Sequence, residues 1–177
     1  RKDIFEKHNL KVPQTYDEML ALACKIPQLE KGMGGLASRA ASGHHASHAF
    51  LLHLAPLGGR IFDDAWNPTV NSDAGIKAAN ALKQIVDCGP KGAATFGFGE
   101  ALGSFLNGTT AMFLDTTVVA GQIDDPKKSK VVGKVGWALH PKGVRRSSQT
   151  GGFGIGIPKN AANKEAAFLL MQWLTSK

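Results

Sequence analysis

The sequence has 177 residues, of which 43% are hydrophobic and 20% charged, a balance that is typical of globular proteins and excludes disordered and fibrous chains. The formal net charge is +7, but aromatic residues do not alternate with the basic ones, so we expect no nucleic-acid partner. No apolar run approaches the roughly 20 residues that span a bilayer. The charged start, without Met or an apolar signal core, indicates a processed or excised piece.

The first third of the chain predicts two helices followed by a strand. Residues 3–8 have the pattern of a helix tail. Thr15 is the expected N-cap of the next helix, Glu18 completes a capping box, and Pro27 is expected to end that helix. A glycine-rich loop then leads to a short strand at residues 36–38.

Two further helices are predicted in the middle of the chain. A polar segment, residues 39–47, opens into a helix with an apolar face that ends near Pro56. Asn71 or Ser72 caps the next helix, which stops at Gly89. A third helix follows a glycine-containing loop and leads into residues 105–117, which include two of the candidate site residues.

That stretch is FLNGTTAMFLDTT, residues 105–117. It predicts a helix end with a glycine stop at Gly108, a buried strand at 111–114, and a new helix that starts just after the strand. Asp115 and Thr116 therefore lie at the carboxyl end of a strand, where unpaired backbone N–H groups stand beside side-chain oxygens. We expect this polar pair to contact a ligand, with Asp115 also serving as the N-cap of the new helix; a plain N-cap role for Asp115 without ligand contact is the alternative.

The last part of the chain predicts two strands and a helix. Residues 135–139 and 153–157 alternate between apolar and other residues, as half-buried strands do, and the polar residues 142–150 connect them. A final helix is expected from about Ala161. Its predicted buried face consists of Ala166, Leu169, Leu170, Trp173 and Leu174. Helices alternating with short strands indicate an α/β or mixed α+β protein.

The residues offer little support for catalysis or for a cofactor. The glycine runs fit neither a dinucleotide fingerprint nor a phosphate-binding loop, so we expect no cofactor. His44, His45, His48 and His53 form a cluster, but no carboxylate or cysteine is spaced to complete a metal site with them. We interpret the histidines as polar residues at a helix start, with ligand contact as an alternative and metal as a weaker one.

The two cysteines, Cys24 and Cys88, lie within apolar helical patterns. This setting favours two buried small hydrophobic residues, and a disulfide between them remains an open alternative.

From end to end, the chain resembles bacterial extracellular solute-binding proteins of ABC transporters, most closely the branch that binds sugars and polyols. The matching motifs include GLASRAASG, GGRIFD, FLNGTTAMFLDTTV, DPKKSKVVGKVGWALHP and GGFGIGIPKNAANKEAAFLLMQWLTSK, in that order. The resemblance implies an α/β, periplasmic-binding-protein-like lobe of the type II hinged, two-lobed class, truncated here. It implies no enzymatic activity, a periplasmic or extracellular location, a sugar or polyol solute, and a membrane permease as partner.

The resemblance also implies a domain division and a set of site residues. Residues 1–141 correspond to most of the C-terminal lobe, 142–150 to the hinge crossover, and 151–177 to a strand and helix of the other lobe. The implied ligand contacts come from the strand ends, the loop after the first strand and the returning strand: Arg39, His44, His45, Asp115, Thr116, Gly152 and Phe153. Because the site has few aromatic rings and several histidines, a solute other than the usual polyol stays open. A carbohydrate-active or metal-dependent enzyme that uses His44, His45 and His48 is the alternative function.

Overall fold

The computed structural model describes residues 1–152 and 154–176 of the chain. Its α-helices and strands are α1 (Lys2–Lys7), α2 (Tyr16–Leu29), β1 (Gly34–Ala37), α3 (His44–Leu54), α4 (Asp73–Asp87), α5 (Phe98–Leu106), β2 (Thr110–Phe113), α6 (Ala120–Ile123) and α7 (Lys164–Thr175). Two short 3₁₀ helices occupy Ala93–Thr95 and Thr117–Val119. None of the helices in these described ranges combines the length and the apolar character needed to cross a membrane.

The two strands form one small parallel sheet, in which Leu36 is paired with Met112 and Ala37 with Phe113. Both strands were predicted from the sequence within two residues of their observed positions. Helices α2 and α4 pack beside β1, and α5 packs beside β2. Since parallel strands need a long crossover, the chain passes through α3, α4 and α5 between them. The carboxyl ends of both strands therefore meet at the same edge of the sheet.

Close packing of α2 on β1 depends on one glycine and one proline. Pro27 lies inside α2, so the prediction that it ends the helix was wrong, and the helix continues to Leu29. Pro27 has no N–H to donate to the carbonyl of Ala23, four residues earlier. Gly35 passes that same carbonyl so closely that a Cβ on Gly35 would lie 1.7 Å from the Ala23 oxygen.

The capping predictions are confirmed by the structure. The Thr15 side chain accepts a hydrogen bond from the backbone N–H of Glu18, and the Glu18 carboxylate accepts from the backbone N–H of Thr15. Ser72, the second of the two proposed residues, caps α4 by accepting from the N–H of Gly75. Both helices thus begin where side-chain oxygens satisfy their free N–H groups.

The cysteines correct the favoured prediction of two unpaired residues. Cys24 in α2 and Cys88 at the C-cap of α4 form a disulfide, with 4.9 Å between their Cα atoms and 64 residues between them in sequence. Each is only half-buried. This pairing could not be predicted with certainty from the sequence, because local patterns do not show that α2 and α4 are neighbours.

The predicted strand at residues 135–139 was wrong, because this segment has no regular structure and both Trp137 and Leu139 are exposed. The second predicted strand also does not form at residues 154–157, and its first residue, Phe153, lies outside the described residues. An alternating pattern becomes a strand only where a neighbouring strand can pair with it. Within the described residues, neither segment has one.

The predicted last helix forms, but the face that was predicted to be buried is exposed. Helix α7 begins at Lys164, three residues later than expected, and none of its residues is buried. Trp173, for example, keeps 73% of its surface exposed. The apolar face of this helix therefore has no counterpart within the described part of the chain.

Candidate functional site

The candidate site lies at the edge of the sheet where both strands end. Leu114 donates its backbone N–H to the carbonyl of Ala37 (3.2 Å), which holds the chain just after β2 beside the end of β1. Arg39 and Asp115, each two residues beyond the last residue of its strand, meet at this edge. Arg39 donates Nε–H to Oδ2 of Asp115 and Nη2–H to Oδ1, both at 2.6 Å.

This ion pair is largely removed from solvent. The Asp115 side chain is 1% exposed and that of Arg39 is 12% exposed. The guanidinium carbon of Arg39 also lies 4.7 Å from the centre of the Phe98 ring, a cation–π arrangement at the start of α5. Oδ1 of Asp115 accepts a further hydrogen bond from the N–H of Thr116. The pair is thus fixed by two strands and a helix, and its charges cancel.

Thr116, rather than Asp115, caps the short helix that follows. Its hydroxyl oxygen accepts a hydrogen bond from the N–H of Val118, at 3.4 Å. The alternative role of Asp115 as a plain N-cap is therefore wrong, because its carboxylate is occupied by Arg39 and by the adjacent N–H. The sequence placed both residues at the strand end but did not identify Arg39 as the partner of Asp115.

The loop between β1 and α3 is held against the start of α5. The backbone N–H groups of Ala40 and Ala41 both donate to the carbonyl of Phe96, at 2.8 and 2.9 Å. A Cβ built on Gly97 would lie 3.0 Å from Nε2 of His45, so this imidazole packs directly over that glycine. The predicted site residues Arg39 and His45 are therefore positioned by the same stretch of chain.

The histidines at the start of α3 border this loop. The ring centre of His44 is 5.7 Å from that of His45 and 6.2 Å from that of His48. Nδ1 of His45 and Nδ1 of His48 are buried and have no hydrogen-bond partner among the described residues. Both nitrogens are therefore unsatisfied, and an unpaired buried nitrogen is costly.

His48 lies close enough to the ion pair to be affected by it. Burial lowers the pKa of His48, the positive charge of Arg39 lowers it further, and Asp115 opposes that effect. His48 was not among the predicted ligand contacts, although its position four residues after His44 was a usable signal. In the ranges that the structure describes, no three metal-binding side chains come together.

Of the two residues predicted from the returning strand, the described one, Gly152, is not brought into this arrangement. Gly152 is exposed, and a Cβ built on it would meet no atom within 4 Å. Phe153 lies outside the described residues. The described site is therefore a single wall made by Arg39, Asp115 and their neighbours.

Comparison with protein families gives one match over the whole chain. The family model described as "Bacterial extracellular solute-binding protein" matches residues 1–177.

Individual relatives agree with that match. The chain is 29% identical over its full length to a protein named mannitol-binding protein from Pseudomonas aeruginosa, of which it spans 42%. It is 29% identical over 165 residues, 93% of the chain, to a probable amino-acid ABC transporter periplasmic-binding protein from Sinorhizobium fredii, of which it spans 37%.

Two solved structures have the same fold over the whole chain. A solute-binding protein from Agrobacterium radiobacter K84 in complex with ribitol has a TM-score of 0.91 and 32% identity, and the chain covers 46% of it. One from Agrobacterium vitis S4 with bound D-mannitol has a TM-score of 0.82 and 33% identity, and the chain covers 44% of it. The chain thus spans less than half the length of these proteins.

Proposed function

Because this chain belongs to the family of bacterial extracellular solute-binding proteins, we propose that it supplies one wall of the solute cleft in an ABC importer's substrate-binding component. The proposed solute is an uncharged polyol or sugar. Similar proteins bind ribitol or D-mannitol in their solved structures, and a third is named for mannitol. The membrane permease of the importer is the proposed protein partner.

The main support for this proposal is the bidentate ion pair between Arg39 and Asp115 at the strand ends. Because the two charges cancel, the wall offers hydrogen-bonding groups without a net charge from this pair. A polyol needs paired donors and acceptors along a row of hydroxyl groups, whereas an amino acid needs counter-charges for its carboxylate and ammonium groups. A neutral wall favours the polyol.

The proposed role of each residue depends on which of its polar atoms already form hydrogen bonds within the protein. Both oxygens of Asp115 accept hydrogen bonds from within the protein, so its main role is to orient Arg39. In the described contacts, Nη1 of Arg39 has no bond to another residue, and it is the proposed donor to the solute. His44, His45 and Thr116 are the further proposed contacts with the solute.

The other wall is proposed to come from a second lobe. In this division, residues 1–141 form most of one lobe, 142–150 cross the hinge, and 151–177 belong to the other lobe, which brings Gly152 and Phe153 to the solute. The exposed apolar face of α7 supports this division, since such a face needs a covering surface. Closure of the two lobes on the solute is the proposed signal to the permease.

The proposed location is the periplasm or the cell exterior. The family description is extracellular, and the Sinorhizobium fredii relative is named a periplasmic-binding protein. The disulfide between Cys24 and Cys88 is consistent with an oxidising compartment.

The enzyme alternative has no support. The family and the relatives are transport solute-binding proteins, so nothing favours a catalytic role for His44, His45 and His48.

The test is calorimetric titration of the two-lobed protein that contains this chain. Ribitol and D-mannitol are titrated beside L-glutamate, with Arg39→Gln as the site variant and Lys83→Gln, which removes an exposed cation on α4, as its matched control. We expect binding of a polyol, no binding of the amino acid, and a loss of affinity of at least tenfold in Arg39→Gln alone. Binding of glutamate, or of none of the three, would contradict the proposal.

A further inference from the structure

A second group of polar residues lies away from the candidate site, where the C-terminal end of α3 meets α2. His53 is fully buried, with 0% of its surface exposed, and Tyr16 of α2 is 2% exposed. The Tyr16 hydroxyl lies 3.1 Å from Nδ1 of His53 and 3.5 Å from the carbonyl oxygen of Leu52. The two rings meet edge to face, with 5.9 Å between their centres.

His140 completes this group from a distant part of the chain. Its ring centre lies 5.6 Å from that of Tyr16. Nε2 of His53 and Nε2 of His140 are both buried without a hydrogen-bond partner in the described part of the chain. Tyr16, His53 and His140 therefore form a cluster in which two imidazole nitrogens are unsatisfied.

His140 begins a segment, residues 140–146, that is attached to both helices. The N–H of Tyr16 donates to the carbonyl of Lys142 (3.0 Å), and the N–H of Lys142 donates to the carbonyl of Gln14 (2.8 Å). Arg145 donates its backbone N–H to the carbonyl of Pro56 and its side-chain Nε–H to that of Ala55, just after α3. A Cβ built on Gly143 would lie 2.6 Å from the carbonyl oxygen of Pro56, so the segment touches α3's end directly.

We propose that Tyr16, His53 and His140 form a pH-sensitive anchor, which holds residues 140–146 against α2 and α3 at neutral pH and weakens in mildly acidic solution. A proton added to His53 would place a charge in a fully buried site. The imidazolium carries an N–H on both ring nitrogens. The Nδ1–H group can donate to the Tyr16 hydroxyl oxygen, but the Nε2–H group has no acceptor. The proton is therefore better accommodated when the segment moves away and water reaches the ring.

The charges around the cluster act in the same direction. From α2 the neighbouring titratable group is Tyr16, whose pKa is raised by burial. From residues 140–146 they are His140 and Arg146, which donates to the His140 carbonyl. Burial lowers the pKa of His140, its hydrogen bond with the Pro141 carbonyl opposes this, and the charge of Arg146 adds a smaller lowering. His140 adds in turn to the lowering of the His53 pKa by burial. Among the described residues, no carboxylate contributes to the pKa of either imidazole.

The direction of the pH effect follows from the pKa of His53. Burial, with a smaller effect of His140, lowers this pKa from 6.5 to about 4. The anchored state thus binds the proton less tightly than an open state with an ordinary pKa. Anchoring is at full strength above pH 6.5 and is lost progressively as the pH falls from there towards 4. The ratio of anchored to open molecules is expected to fall roughly thirtyfold between pH 7.5 and pH 5.

Native-state hydrogen exchange of this chain tests the anchor, because the amides of Tyr16, Lys142 and Arg145 donate across its contacts. We expect their protection factors to fall at least tenfold between pH 7.5 and pH 5. The amide of Gly35, which donates to Cys88 beside the disulfide, should stay within about twofold. Protection of the three amides that does not change with pH would overturn the proposal.

Three variants separate the anchor from other effects of acid. His53→Phe keeps a ring of similar size but cannot take a proton, so its protection should fall much less on acidification than that of the unmodified chain, with His140 responsible for what remains. Gly143→Ala should be open already at pH 7.5, because the added Cβ collides with the Pro56 carbonyl. His8→Gln, at the C-terminal end of α1 and outside both the cluster and the candidate site, should keep the pH dependence of the unmodified chain. If His53→Phe retains the full pH dependence of the unmodified chain, the proposal is wrong.

The ring itself offers a measurement that needs no variant. An NMR titration of the His53 imidazole in the unmodified chain should give a pKa well below the ordinary value of 6.5. A pKa at or above the ordinary value would overturn the proposal even if the variants fail to fold.

Discussion

Arg39 and Asp115 are 76 residues apart in the sequence, yet two hydrogen bonds of 2.6 Å join their side chains across the ends of β1 and β2. The carboxylate is almost completely buried and the guanidinium is stacked on Phe98. Each charge therefore depends on the other, since an unpaired charge at this depth would have no compensation. The pair links the carboxyl ends of the two strands and forms part of the wall of the proposed solute site.

Removing one member of this pair should cost more stability than removing a surface ion pair. Asp115→Asn leaves the Arg39 guanidinium without its counter-charge, and we expect the free energy of unfolding to fall by about 3 kcal/mol. Urea denaturation followed by circular dichroism measures the change. The exposed pair Lys83–Asp87 on α4 is the control, because Asp87→Asn should cost about 0.5 kcal/mol or less. Equal losses in the two variants would contradict the assigned burial.

The disulfide should account for a substantial part of the stability. Cys24 and Cys88 close a loop of 64 residues, and such cross-links typically contribute about 2–4 kcal/mol by restricting the unfolded chain. We expect a reducing agent to lower the urea midpoint of the unmodified chain. A double variant, Cys24→Ala with Cys88→Ala, should have that lower midpoint with or without the reductant. A midpoint that does not respond to reduction would show that the pair is not formed.

The sequence predicted the parts of the fold that are determined locally. Thr15 and Glu18 form their capping box within one turn, and the strand before Asp115 is a continuous apolar run bounded by a glycine, so neighbouring residues were sufficient. The Arg39–Asp115 pair and the disulfide were not predictable in this way. Both depend on which helices and strands become neighbours, and that information is not contained in a local pattern.

Other sequence predictions failed because they require a partner surface. Residues 135–139 and the helix containing Trp173 have patterns of half-buried elements. Trp137 and Leu139 are nevertheless exposed, and no residue of that helix is buried. Periodicity reports that a face is apolar, but it does not identify the element that covers it. The pattern is therefore consistent with the proposed second lobe, which would supply the missing surface.

The capping box of α2 should show a defined dependence on pH. Hydrogen bonds from the N–H groups of Gln14 and Thr15 lower the pKa of the Glu18 carboxyl below its ordinary value of 4.5. A lowered pKa means that the stabilisation is complete above pH 4.5 and is lost as the pH falls through the folded-state pKa. We expect Thr15→Ala to cost about 1 kcal/mol at pH 7.

The variant Glu18→Gln isolates the contribution of the Glu18 carboxylate to stability, because its side chain keeps an oxygen acceptor but cannot be protonated between pH 7 and pH 3. Denaturation curves at pH 7 and pH 3 should show a smaller loss of stability on acidification in Glu18→Gln than in the unmodified chain. An identical loss in both proteins would show that the Glu18 carboxylate contributes nothing to the box.

The contact between α2 and β1 gives the sharpest test of the packing. Gly35→Ala would place a Cβ 1.7 Å from the carbonyl oxygen of Ala23, so the helix must move off the strand or the strand must shift. Since buried backbone on both sides cannot yield as a flexible side chain does, we expect a loss of at least 4 kcal/mol or failure to fold. The measurement is the urea midpoint, or the yield of soluble protein where no folded state is recovered.

Gly103→Ala is the matched control for this prediction, because it makes the same chemical change inside a helix. Gly103 lies in the interior of α5, and a Cβ built there would meet no atom within 4 Å. Alanine favours the helix more than glycine does, so this variant should be more stable by about 0.5–1 kcal/mol. If Gly35→Ala and Gly103→Ala shifted the midpoint in the same direction, the close approach of α2 to β1 would not be present in solution.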